Sequence, residues 1–428
     1  MALDVVDRLS ESMSRPELIA VLVGNGLPLI GVVVLGWDAA ALLLLYWLEL
    51  GILSLLAVVR ALFAGRPSEF NGDPLVLGAL AHRTASVGIP RTDVAVRLSS
   101  LVVLHVAVPL LAVLWFLVGA FTVGVVGDGT LSEATLGTVM LAAVGILISE
   151  SAETAVDYFY KGAYRDHSAQ TALRGAFVRG MTLAVGGLFT VMAVALVSDL
   201  PSDAPLSELD AAVVGTPLLV GIVAVKFGLD LAGVYVDRLT AFDESTEILW
   251  GWAYKPPTVE PVETTLSGAV DHVRPDRRGR LVGGLANVWR RPGSAWVGVF
   301  VLTIAGLFAT GQVWDVVALL VALAVVVPVG LLSVDYWLRY GAVAYRTDGN
   351  AIVAVDRLFG QALWRVEAWD ETDLRVERDR LDRLLGTHTV VVELVDGETL
   401  RLPRLSDPKP ILDTFDRRAE KPTERSCR

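Results

Sequence analysis

Residues 39–63 read AAALLLLYWLELGILSLLAVVRALF, and only Glu49 and Arg60 among them carry charge. A helix rises about 1.5 Å per residue, so a run of this length crosses the ~30 Å of hydrocarbon in a bilayer. Strands of such length, with apolar side chains on both faces and no turn residue to interrupt them, are not a workable alternative. The stretch therefore predicts a transmembrane helix with a carboxylate near its middle.

Working outward, comparable apolar runs fall at 17–36, 98–126, 132–157, 174–198, 211–236, 294–311 and 313–335. The expected architecture is an α-helical polytopic membrane protein of about eight transmembrane helices. Composition agrees: 54% of the 428 residues are hydrophobic, only 19% are charged, and the mean hydropathy is +0.56. That excludes an ordinary soluble globule. The formal net charge of −11 argues against nucleic acid as a partner. Cys427, the one cysteine, permits no internal disulfide and no cysteine metal site. Lysine is confined to Lys161, Lys226, Lys255, Lys409 and Lys421, a balance that points to an archaeal or halophilic prokaryote, or equally to a GC-rich genome. Asn25-Gly26 and Pro28 interrupt the first run, and no small-residue cleavage site follows, so it reads as a retained span rather than a signal peptide.

Loop charge orients the spans. Arg66, Arg83, Arg91, Arg97, Lys161, Arg165, Arg238, Lys255, Arg274, Arg277, Arg278 and Arg280 all fall in one alternate set of loops. The other set, Trp37-Asp38, 127–132, 199–210 and Gly311-Gln312, holds no Lys or Arg. The positive-inside rule then places both termini in the cytoplasm of a multi-pass plasma-membrane protein.

From about Tyr340 the pattern changes. Short alternating runs at 342–347, 351–355, 362–369 and 373–377 read as strands. A hairpin follows, 388–395 and 398–403 around Asp396-Gly397, since both turn positions must accept positive φ. Ile411, Leu412 and Phe415 at helical spacing mark a closing helix over 408–418. The expected layout is a six-helix unit at 1–240, a cytoplasmic loop at 241–293, a transmembrane hairpin at 294–338, a small β-sheet plus helix at 339–418, and a disordered tail at 419–428.

Two resemblances attach to these residues. Arg339-Tyr340 leading into Tyr345-Arg346-Thr347-Asp348, then Leu381–Gly386 before the Val-rich hairpin, resembles the bacterial pleckstrin-homology-like domain family over about 294–418. The resemblance implies a curved sheet with one C-terminal helix beneath a membrane hairpin, acting as a scaffolding or assembly module without catalysis. The first hairpin lacks a Lys/Arg cluster, so lipid-headgroup binding does not carry over. Asn25 with Pro28, Gly36-Trp37-Asp38, Tyr46-Trp47 with Glu49, and Lys226 with Asp230 resemble an uncharacterised prokaryotic polytopic family, a domain of unknown function, over about 16–240. That likeness brings no chemistry with it.

Charged groups inside the spans are the candidates for function, because each costs ~2.5–3.5 kcal/mol at mid-membrane. Glu49, His105, Lys226 and Asp230 form the candidate intramembrane polar site, with Lys226 and Asp230 four apart on one helix face. Glu150, Glu153 and Asp157 make an acidic stripe that reads as a solvated helix end. The five histidines show no metal-binding spacing, and no phosphate loop, nucleophile elbow or zinc-protease helix occurs. No catalytic, cofactor or metal residues are assigned. Trp250, Trp252, Tyr254 and the arginines of 274–280 suit either a membrane-surface segment or a plain linker. The primary expectation is a non-enzymatic scaffold, held in the lipid bilayer and meeting a protein partner or a second copy through its C-terminal domain. The alternative is a transporter or channel for a cation, proton or small polar solute using Glu49 and Lys226/Asp230. A membrane-embedded enzyme is the least favoured.

Overall fold

The computed structural model describes residues 37–68, 75–81, 83, 85–122, 131–197, 211–245, 254–256, 258, 262–286, 295–395 and 397–416, with Leu22, Gly26, Ile30, Gly31 and Val34 as single positions. The chain divides into two compact units: Met1–Ser68 with Gly88–Pro257, and Glu69–Val87 with Thr258–Arg428. Among the described residues six helices are long and apolar enough to cross a membrane, at Ala39–Leu62, Leu98–Ala120, Glu133–Tyr160, Ala169–Val194, Gly215–Val234 and Trp314–Gly341. By length and composition these mark a multi-pass membrane protein. The count differs from the expected eight for two reasons. The run at 17–36 lies almost wholly outside the described residues. The run at 294–311 yields a 16-residue helix, Ala295–Thr310, which rises only about 24 Å.

In the first unit, α1 (Ala39–Leu62), α2 (Leu98–Thr122), α3 (Glu133–Glu153), α4 (Ala169–Val197) and α5 (Ala211–Val234) form a bundle. The Asp38 side chain caps α1 by accepting from Ala40 N–H at 2.9 Å, and Ser132 caps α3 through Thr135 N–H at 3.1 Å. The core is drawn from α1, α2, α4 and α5, with Leu43, Leu50, Val118, Leu183, Val191, Leu218 and Ile222 all buried. Helix α3 stands outside it and buries only Val139 and Ala143. Exposed Leu141, Ile148, Phe116 and Phe189 would be a liability in water; facing lipid they are in a matched solvent.

α1 and α2 are locked by a reciprocal contact. Trp47 Nε1 donates to Trp115 C=O at 2.9 Å and Trp115 Nε1 donates to Trp47 C=O at 3.0 Å. The rings stack at 4.4 Å and 9°. Each ring lies over the glycine four residues beyond the other tryptophan: a Cβ on Gly119 would stand 2.6 Å from Trp47 Nε1, and one on Gly51 2.8 Å from Trp115 Nε1. Gly119→Val is therefore expected to expel a ring and destabilise the bundle by about 1–3 kcal/mol. Thermal unfolding in detergent checks this, and an unchanged midpoint contradicts it.

In the second unit, α6 (Arg277–Ala286), α7 (Ala295–Thr310) and α8 (Trp314–Tyr336) precede the β-rich part. Helix α8 ends in a π turn, Trp337–Gly341, which passes directly into a strand. Two antiparallel sheets follow. One orders β1 (Asp271–Val273), β2 (Val343–Thr347), β3 (Ala351–Asp356) and β4 (Ala362–Glu367). The other orders β5 (Glu371–Glu377), β6 (His388–Leu394) and β7 (Thr399–Leu405). A short helix α9 (Arg380–Leu385) and a closing helix α10 (Lys409–Asp416) complete it. Tyr345, Ile352, Val366, Val390, Val392, Leu402, Ile411 and Phe415 share one buried core. The strands expected beyond Tyr340 are present, and Gly397 takes φ +84 in the expected hairpin turn. Strand β1, which pairs Asp271 with Thr347 at the sheet edge, was not expected from its three residues.

Buried charges fix this unit. Arg83 Nε donates to Asp356 Oδ2 at 2.6 Å, with the two side chains 3% and 1% exposed. Its other nitrogens reach Leu338 C=O at 2.8 Å and Ala79 C=O at 3.3 Å. Arg404 forks onto Asp379 with two bonds of 2.7 Å and lies 2.8 Å from Asp382. That guanidinium holds the Asp379 carboxyl down at about 2.

Candidate functional site

Four charged residues from three spans of the first unit meet in one network. Lys226 Nζ on α5 lies 2.9 Å from Glu49 Oε1 on α1 and 3.5 Å from Asp230 Oδ2 one turn along its own helix. Arg179 on α4 lies 3.2 Å from Asp230 Oδ1 and 3.6 Å from Glu49 Oε1. Each carboxylate therefore touches both cations, and the set is neutral. Neutrality is what a low-dielectric bundle demands, since an uncompensated ion there costs several kcal/mol. Beside it is a cavity of about 10 Å³ lined by Tyr46, Glu49, Leu183 and Lys226, the size of about one water. Tyr46 Oη is buried there without a hydrogen-bond partner among the described residues.

A larger cavity of about 280 Å³ shares Arg179 and Leu53 with the small one. Among the described residues its polar lining is Arg60, Tyr158, His167, Thr171 and Arg179, with no carboxylate. Local structure explains how these side chains arrive there. Helix α3 widens into a π turn over Thr154–Tyr160, which brings Tyr158 to the inside at 6% exposure. Its hydroxyl donates to Arg60 C=O at 2.8 Å, satisfying a carbonyl that the end of α1 leaves open. His167 Nδ1 sits 2.8 Å from Ala163 C=O; a carbonyl only accepts, so Nδ1 carries the proton and Nε2 is left as the second ring nitrogen. Arg66 ties the neighbouring loop down, donating to Asp166 at 2.6 Å and to Pro256 C=O at 2.9 Å. Arg60 Nε is buried and has no hydrogen-bond partner among the described residues. Glu150 is half-buried and within electrostatic reach of Arg60, Arg179 and Glu49, but it does not line the cavity.

Of the four expected site residues, Glu49, Lys226 and Asp230 come together, while His105 is exposed on the outer side of α2, away from them. Glu153 and Asp157 are exposed, and Asp157 pairs with Lys161 at 2.6 Å, as a solvated helix end does. Arg179 was missed. Charge counting points to it: Glu49 and Asp230 against Lys226 alone leave one negative charge unbalanced inside the bundle. Among the described residues no group of three or more His, Cys, Asp or Glu is placed to hold a metal ion.

A family model described as a family of unknown function (DUF6498) matches residues 7–247, more than half of the chain. No curated protein and no solved structure matches.

Proposed function

We propose a function from the premise that the chain belongs to the DUF6498 family, whose description supplies no chemistry: the membrane unit binds a small solute bearing an anionic group, as the substrate site of a carrier or channel. The observation that carries this is the 280 Å³ cavity lined by Arg60, His167 and Arg179 and, among the described residues, by no carboxylate. Counting Arg60, Arg179 and Lys226 against Glu49, Asp230 and Glu150, the polar interior is neutral. An anion is therefore drawn by the unpartnered Nε of Arg60 rather than by excess charge. The network of four holds Arg179 at the cavity wall. A proton or cation path through Glu49 is less well supported, because Glu49 already has two cationic partners.

The positive-inside distribution supports a plasma-membrane location with the cavity opening toward the cytoplasm, where both termini would lie. The four- and three-stranded sheets with their closing helix support a pleckstrin-homology-like domain in the second unit. Its use as a scaffold has less behind it. Edge strand β5 alternates Glu371, Asp373, Arg375 and Glu377, charges that guard an edge against strand addition.

The test is binding of inorganic phosphate and of succinate to the full chain in lipid nanodiscs, read as a rise in melting temperature. Arg60→Gln is expected to weaken binding of the preferred anion about tenfold. Equal affinity in wild type and variant, or no binding of either anion, contradicts the proposal.

A further inference from the structure

The second unit carries a group of arginines that its fold does not use. Arg280 lies within electrostatic reach of Arg357, Arg277 and Arg274, and its Nε is buried without a hydrogen-bond partner among the described residues. Burial and those three like charges push the guanidinium below its ordinary value, and Asp276 opposes them. Asp276 is already committed as the cap of α6, accepting from Arg278 N–H at 2.8 Å and Gly279 N–H at 3.0 Å. Several like charges gathered at one point are costly, which makes an anion their natural complement.

Their place in the unit narrows what that anion is. Helix α6 is seated on the end of α8 through glycines: a Cβ on Gly284 would stand 2.5 Å from Ser333 Cα, and one on Gly283 2.1 Å from the Tyr336 ring. Arg280 Cγ lies 3.4 Å from where a Cβ on Gly341 would be, at the last residue of the π turn that ends the span. Arg357 N–H donates to the next residue, Ala342 C=O, at 2.9 Å. Arg280 and Arg357 thus stand where the last span ends and the β-rich part begins, with Arg274 and Arg277 within electrostatic reach of Arg280. Apolar side chains stand exposed beside them: Leu281 at 73%, and Leu358 and Phe359 at 47% each, the latter two directly after Arg357 in the β3–β4 turn. Cations interleaved with exposed apolar groups at a span terminus are the signature of an interfacial surface.

We propose that Arg274, Arg277, Arg280 and Arg357 dock the second unit onto anionic phospholipid headgroups of the leaflet from which α8 emerges, with Leu281, Leu358 and Phe359 entering the headgroup region. The site lies outside the first hairpin, where the sequence shows no basic cluster. It is assembled from Arg274 and the start of α6 together with the turn after β3, distant in sequence. It is independent of the solute cavity.

The experiment uses the full chain with Cys427→Ser and Phe359→Cys, the new thiol labelled with an environment-sensitive fluorophore, in nanodiscs. In discs containing phosphatidylglycerol the emission is expected to shift to the blue and resist an aqueous quencher; in phosphatidylcholine alone it stays quenched. Each of Arg277→Gln, Arg280→Gln and Arg357→Gln should lower the docked-to-undocked ratio about fivefold, while the corresponding Lys variants retain docking and so exclude misfolding as the cause. A label quenched equally in both lipids overturns the proposal. So does docking that survives the triple Gln variant, or protection reproduced in phosphatidylcholine discs by inorganic phosphate alone, which would make the ligand a soluble anion.

Discussion

Replacing Arg83 with alanine is expected to destabilise the second unit by about 3–5 kcal/mol, the largest effect of any single substitution considered, because it strands a buried charge. Asp356 is 1% exposed and pairs with Arg83 at 2.6 Å. Without the guanidinium its carboxylate keeps, among the described residues, the Leu358 N–H at 2.9 Å as its hydrogen-bond donor. The loss extends to the backbone, since Leu338 C=O in the π turn also takes its donor from Arg83. The pairing also brings residue 83 against the end of the last span, within the unit that Glu69–Val87 shares with Thr258–Arg428. Arg83→Met combined with Asp356→Leu removes both charges and should recover much of the loss, though not all, because the Leu338 carbonyl and Leu358 amide stay unserved. Thermal unfolding of the full chain in detergent separates these outcomes. Parental stability in Arg83→Ala would contradict the reading.

The spans were legible because a bilayer imposes length and apolarity on a continuous run, so composition alone suffices. The β-rich part was legible because Val390, Val392 and Leu394 alternate toward the core and Gly397 supplies a turn that needs positive φ. What failed to show in the sequence is rotation and long-range pairing. Helix α2 is apolar all round, so nothing in its pattern says that His105 faces outward. Arg83 sits in a loop with other arginines and reads as a topology signal, although it is 4% exposed. Arg179 stands near the start of an apolar run, where a cation passes for a helix-end anchor. Helix α6 buries Gly279, Gly283 and Gly284, and glycines leave no apolar stripe to read. Of the candidate site, Lys226 and Asp230 were visible as an i, i+4 pair. Their meeting with Glu49, 177 residues away, rests on packing between helices that no local pattern encodes.

Glu49→Leu and Lys226→Leu are each expected to destabilise the first unit by about 2–3 kcal/mol, at or below the lower end for broken buried pairs because these side chains keep 17–20% exposure. Removing Glu49 leaves three charges summing to +1, and removing Lys226 leaves three summing to −1. Removing both leaves Arg179 and Asp230 as a neutral pair at 3.2 Å. The losses should therefore fail to add, by about 1–3 kcal/mol. A double-mutant cycle on the full chain, read as unfolding free energies in detergent, measures the coupling directly. A neutral network inside the bundle predicts a Glu49→Leu, Lys226→Leu chain whose loss falls about 1–3 kcal/mol short of the sum of the two single losses; a double variant whose loss equals that sum would contradict it.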